Sequence, residues 1–538
     1  MIFKILLLVI FFCVMVGVGL YSRRHATDVN GFVLGGRTVG PWLTAFAFGT
    51  SYFSAVIFIG YAGQFGWNFG LASTWIGLGN ALIGSLLAWM VLGRRTRIMT
   101  QHLNSATMPD FFGKRYKSDA LKFAASVIVF IFLIPYTASL YNGLSSLFNM
   151  AFNIPYAVCI IVMAALTCMY VVFGGYMATA INDFIQGIIM LGGIIAVVWA
   201  VLHVNGGFNG AFTALSQVGF NPSIYDGTQQ IGVYASFFGT DPLFLLFVVI
   251  LTSLGTWGLP QMVGKFYAIK SEASIKKGMI ISTFFAVIVA GGCYFLGGFA
   301  RLYSDVQGII LPNGKVAFDN IIPSMLAQLT EAGSWGDIII AVVLVLVLAA
   351  SMSTLSSLVL TSSSTLTLDF IDYKKTMTEG KKLLWMRLFV VFFIICSAVI
   401  AIIKDSYPGI TFIAQMMGVS WGALAGSFLA PFMYGLYLKN VTKSSVWACF
   451  GFAVFVTIIQ LLCSFKVINV SNIPVLSLIF KTSIHSGVIS MVGGLIIVPI
   501  VSSFTPKLTS ADVDNMFGCY EKKIVVPVRE ALEEGENV

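Results

Sequence analysis

Charge is what this sequence has least of. Only 10% of its 538 residues are Asp, Glu, Lys or Arg, while 58% are hydrophobic. A soluble globular chain carries about 25% charged residues, so a soluble fold is excluded and a polytopic membrane protein takes its place. Histidine is also scarce: His25, His102, His203 and His485 are the only four, and they are scattered. The eight cysteines show no paired spacing, so neither a disulfide framework nor a metal motif is readable. A membrane-embedded enzyme needs a nucleophile–base pair or metal ligands inside its spans, and neither pattern is present. No soluble output domain is appended, which argues against a sensor. No ring-forming filter loop is visible, which argues against a channel.

What is abundant is long apolar runs. A run of about 20 residues crosses a ~30 Å hydrocarbon core. Thirteen such runs occur, at about 2–20, 42–66, 71–93, 123–147, 155–174, 181–202, 243–264, 278–300, 338–365, 388–403, 409–437, 445–465 and 484–503. They are spans 1 to 13 below. The first reads as a span and not as a signal peptide, because Arg23 and Arg24 follow it instead of a small-residue cleavage site.

Placing the N-terminus outside puts 25 of the 31 Lys and Arg on inner loops and the tail. The positive-inside bias therefore predicts N-terminus out, C-terminus in, at the cell membrane. It also accounts for the net charge of +9 as a basic face beside anionic lipid, without nucleic acid. Lys265, just after span 7, reads as an inner anchor.

Predicted divisions are a first helix and inner loop (1–40), a five-helix repeat (41–202), an outer loop (203–240), a second five-helix repeat (241–438), two peripheral helices (439–504) and an inner tail (505–538). Span 2 contains Gly49-Thr50-Ser51-Tyr52-Phe53-Ser54, and span 7 contains Gly255-Thr256-Trp257-Gly258-Leu259-Pro260. These interruptions fall five spans apart, in corresponding places of the two blocks. That pattern predicts an all-α inverted-repeat transporter with broken helices near the midplane. A break after Gly49 would free the carbonyls of Thr50 and Phe53, and irregular backbone at that depth is tolerated where it lines a cavity.

Span 9 carries the densest polar signal. Eleven of the 17 residues over 351–367 are Ser or Thr, after a wholly apolar run at 338–350. At about 100° per residue, Ala350, Ser353, Thr354, Ser356 and Ser357 share less than half the helix circumference. Membrane hydroxyls commonly bond back to the i−4 carbonyl. A cluster of this density fits a hard cation, which takes oxygen ligands. Asp183, at the start of span 6, is the one acidic residue placed at or inside the hydrocarbon boundary, and such a carboxylate is a functional candidate.

Three stretches resemble the sodium:solute symporter family. Leu34-Gly35-Gly36-Arg37-Thr38-Val39-Gly40-Pro41-Trp42 is similar to its lead-in to the second helix. Gly174, Gly175, Ala178, Asp183 and Gln186 resemble its sixth-helix signature. Ala349-Ala350-Ser351-Met352-Ser353-Thr354-Leu355-Ser356 resembles its sodium-binding ninth helix. The resemblance implies a first sodium site at Thr50, Phe53, Ala350, Ser353 and Thr354. It implies a second at Asp183, Ser353, Ser356 and Ser357. Proline-transporting relatives carry Asp where this chain has Tyr52, which argues against proline as the solute.

The expected activity is sodium-coupled import of a small organic solute (a carboxylate, amino acid, sialic acid or vitamin-like molecule) by alternating access, with two sodium ions. Tyr52, Ser54, Ile57, Trp75, Tyr136, Thr256 and Trp257 are the candidate solute contacts, by helix placement. A proton-coupled symporter of the same fold is the closest alternative.

Overall fold

The computed structural model describes residues 2–152, 155–220, 230–303, 309–310, 316–328, 334–373, 376–405, 412–470 and 472–521. The acidic end of the tail, Glu533 to Glu536, lies outside them. Among the described residues the protein is all-α, with only isolated β-bridges.

Among the described residues, ten stretches are long and apolar enough to cross a membrane, and a bent pair, Pro242–Gly258 with Pro260–Ala268, makes eleven. Two of the ten, Val56–His102 and Ala157–Val204, run to 47 and 48 residues. Such lengths reach about 70 Å at ~1.5 Å per residue, more than twice the hydrocarbon core. Each is interrupted by a glycine of positive φ, Gly70 at 63° and Gly175 at 53°. A side chain at Gly70 would collide with the Tyr234 backbone, and one at Gly175 with the Phe32 backbone. Gly175 therefore bends Ala157–Val204 between spans 5 and 6, and Gly70 separates the end of span 2 from span 3.

Both predicted broken spans are broken. In span 7 the helix Pro242–Leu254 tightens over Gly255–Gly258, becomes extended at Leu259 and restarts at Pro260. The two halves meet at 46°. Pro260 explains the stop, because the residue before a proline is driven out of the helical region.

In span 2 the break lies four residues later than expected. The helix Pro41–Tyr52 ends at Phe53 (φ −84°, ψ 120°), and a π-helical segment, Val56–Tyr61, follows. Gly49 itself stays helical. Its role is close packing: a Cβ there would lie 2.5 Å from the Phe285 ring.

Span 9, Ser334–Thr365, sits at the centre. Its apolar window is 83% buried, against 22% for span 1, so span 9 faces protein and span 1 faces lipid. Spans 2, 4, 5 and 6 pack around it.

Candidate functional site

The first cluster forms where span 2 is unwound. Phe53 N–H makes the last helical bond, to Gly49. Beyond it the chain turns away, and helix-terminal carbonyls are left without intrahelical partners. Span 9 meets them. The Thr354 hydroxyl lies 3.2 Å from the Thr50 carbonyl oxygen, 3.3 Å from that of Phe53 and 3.2 Å from that of Ala350. One hydroxyl proton cannot serve three acceptors. More oxygen than hydrogen converges here, all of it uncharged and buried, which is the ligand chemistry a small hard cation takes.

Ser353 does not join that group. Its hydroxyl donates to Asp183 Oδ1 at 2.7 Å. Ser356 bonds back to the Ser353 carbonyl at 2.9 Å, as Ser351 does to Val347 and Ser363 to Leu360. For those three hydroxyls the local back-bond accounts for the position. Ser357 Oγ meets Ser51 Oγ at 2.8 Å.

Asp183 is not at a helix start. It lies eight residues beyond Gly175 and is completely buried. Facing it is Lys265, which is not the inner anchor expected after span 7. The second half of span 7 continues to Ala268, so Lys265 stays inside the bundle with its side chain 3% exposed. Its Nζ lies 3.4 Å from Asp183 Oδ2 and 3.0 Å from Ser357 Oγ. The Tyr176 ring centroid is 5.3 Å away, within cation–π range. The ammonium thus engages two of the four residues expected to hold a second sodium. A sodium ion roughly 4 Å from it would meet a repulsion of about 4 kcal/mol at an effective dielectric of ~20.

The lead-in motif explains how Lys265 is held. Gly35, Gly36 and Arg37 all have positive φ, and this turn aims Arg37 at backbone carbonyls. Its guanidinium donates to Tyr267 at 3.2 Å and to Ser105 at 2.7 Å. Burial and the nearby Arg97 pull Arg37 down to about 10, which leaves it charged at neutral pH. Arg97 donates to the Ile269 carbonyl, and Lys270 N–H bonds to Val39. The end of span 7 is therefore pinned by the chain that precedes span 2.

A second acidic residue was missed. Asp369, at the far end of span 9, is fully buried. It accepts from Thr107 and pairs with Lys122 at 3.3 Å, and Lys122 also reaches Asp110 at 3.3 Å. A cavity of about 550 Å³ at this basic end of the bundle is lined by Arg37, Asp110, Lys122 and Asp369. A smaller cavity beside it shares Leu34 and Ala106 and reaches Lys265 and Ser357.

The solute candidates divide. Tyr52, Ser54, Ile57 and Tyr136 are buried beside the span 2 break. Trp421 of span 11 joins them, with ring centroids 6.0 Å from Tyr52 and 6.1 Å from Tyr136. Tyr52 Oη, Ser54 Oγ, Tyr136 Oη and Trp421 Nε1 are buried together; the Tyr136 hydroxyl faces Ser54 and Trp421, and the Tyr52 hydroxyl faces Thr252, so hydroxyl and indole groups are gathered where a polar solute can exchange partners with them. Trp421 was missed, since a lone Trp in an apolar span reads as packing. Trp75 is not in this group. It is 37% exposed and donates to the Phe237 carbonyl at 3.0 Å, on a rim of the bundle. Thr256 and Trp257 are already committed, donating to the Gly84 and Ile83 carbonyls of span 3.

With this geometry established, comparison with known proteins is informative. Residues 32–451 match the sodium:solute symporter family. The sodium/proline symporter of several Staphylococcus aureus strains is 29% identical over 456 residues, covering 82% of this chain and 82% of the relative. Among solved structures, a Na+-coupled sialic acid symporter superposes with a TM-score of 0.69 at 17% identity, over 94% of this chain and 98% of that one. A nucleobase-cation-symport-1 family transporter superposes at 0.50 and 15% identity, over 90% and 97%. These likenesses establish the fold. The family match covers well over half of the sequence, and the chain is thus a multi-pass membrane transporter, not an enzyme, belonging to the sodium:solute symporter family.

Proposed function

We propose that the protein imports a small, polar organic solute by alternating access, driven by sodium bound at Thr50, Phe53, Ala350 and Thr354. The single observation that carries this reading is the convergence of three carbonyl oxygens on the Thr354 hydroxyl. Sodium there ties the unwound turn of span 2 to span 9, and its departure lets one bundle move against the other. The second expected sodium, on Asp183, Ser353, Ser356 and Ser357, competes for its place with Lys265. The solute sits among Tyr52, Ser54, Tyr136 and Trp421, a buried aromatic cluster with hydroxyl and indole donors and no charged member. That chemistry suits a neutral or zwitterionic molecule. Tyr52 argues against simple transfer of the proline activity from the relatives. The basic end of the bundle is the inner face.

With one sodium and a neutral solute, the membrane potential contributes about 2.3 kcal/mol per 100 mV, nearly two decades of accumulation at ~1.4 kcal/mol each. The test is uptake into proteoliposomes of labelled amino acids, sialic acids, monocarboxylates and vitamins. Each is offered under an inward sodium gradient or under an acid-outside pH step without sodium. Accumulation of one class only with sodium is expected. Accumulation driven by the pH step alone would select the proton-coupled alternative.

A further inference from the structure

Resting on that reading, we infer that Lys265 is a tethered cation that takes the place of a second sodium ion, so that the transporter couples one sodium, not two, to each solute. The argument is geometric. Asp183 and Ser357 offer oxygens to a cation from spans 6 and 9, and the Lys265 ammonium lies 3.4 and 3.0 Å from them. The remaining carboxylate oxygen accepts from Ser353 at 2.7 Å, so both oxygens of Asp183 are used. Carboxylate and ammonium cancel, and the pair is sealed from solvent on all sides but the small cavity. A further cation would leave the buried group with net positive charge, which a low-dielectric site opposes.

Position follows from the fold. Lys265 rides on the half-helix behind the span 7 break, and that half-helix is clamped by Arg37, Arg97 and Val39. The ammonium therefore links span 7 to spans 6 and 9 much as an ion would, but it cannot leave with the solute. A covalently held cation keeps the cluster assembled in each half of the cycle and moves no charge of its own from one solution to the other.

The test counts radioactive sodium bound per chain by the purified full-length protein at saturation, with choline as the replacement cation. The unaltered protein is expected to bind one. Lys265→Met, which leaves Asp183 without its partner, is expected to bind two, and Lys265→Arg, which keeps the charge, one. Lys265→Met with Asp183→Asn, which removes both charges, is expected to return to one. Two sodium ions in the unaltered protein, or one in Lys265→Met, overturns the inference. A count of zero in the unaltered protein overturns the sodium-coupled reading and this inference with it. The unaltered count stands even if Lys265→Met fails to fold.

Discussion

The two oxygen-rich clusters on span 9 differ in one respect above all, charge. The first is built from three backbone carbonyls and a hydroxyl. The second is built from a carboxylate that already faces an ammonium. A neutral oxygen shell holds a cation only as long as the unwound turn of span 2 and span 9 stay apposed, so it can release. A charged shell in a dry interior needs its counter-charge at all times. In the proposed cycle, that difference gives the exchangeable ion to the first cluster and the tethered ammonium to the second.

Substitutions can break or sharpen this contrast. The largest effect is expected from Lys265→Met in sodium-free choline buffer, where Asp183 is stranded. Breaking a buried pair costs about 3–5 kcal/mol, to be read as a drop in unfolding temperature, and sodium should restore much of it. A drop that sodium does not touch would show that the cluster cannot accept a free ion. Next comes Thr354→Ala. Losing a hydroxyl that faces a charge removes about 1.5–3 kcal/mol, so sodium affinity should fall roughly ten- to a hundredfold in a sodium titration. Tyr136→Phe is expected to cost about 0.5–1.5 kcal/mol of solute binding, with sodium affinity unchanged. A loss of sodium affinity instead would move Tyr136 out of the solute pocket. Smallest in its effect on ligands is Ser356→Ala, which should leave sodium affinity unchanged in the same titration and cost about 0.5–1.5 kcal/mol of stability, because its hydroxyl bonds back to Ser353 and faces Tyr170.

Local chemistry made much of this legible in the sequence. Pro260 announces the span 7 break, and the run of hydroxyls announces the polar face of span 9. Long-range partnership did not announce itself. Lys265 looked like a boundary because the apolar run stops before it. What keeps it inside is Asp183, 82 positions away, and a turn more than two hundred residues upstream. Asp369 is hidden in the same way: it lies just past the expected end of span 9 at 365, and its partner Lys122 stands at the start of the helix that continues into span 4. The span 2 break was misplaced because glycine signals both flexibility and close packing, and at Gly49 the neighbouring Phe285 ring decides for packing. Trp75 was assigned by helix placement alone, and placement along a span does not say which rim a side chain reaches.

The most direct measurement is the unfolding temperature of the purified protein in sodium chloride against choline chloride, for the unaltered chain and Thr354→Ala. A ligand that binds only the folded state stabilises it by RT ln(1 + [L]/Kd), about 2.7 kcal/mol at a hundred times Kd. Sodium should raise the midpoint of the unaltered protein and raise that of Thr354→Ala by about half as much or less. An equal sodium-dependent rise in both would contradict the assignment of the ion to the unwound turn and span 9.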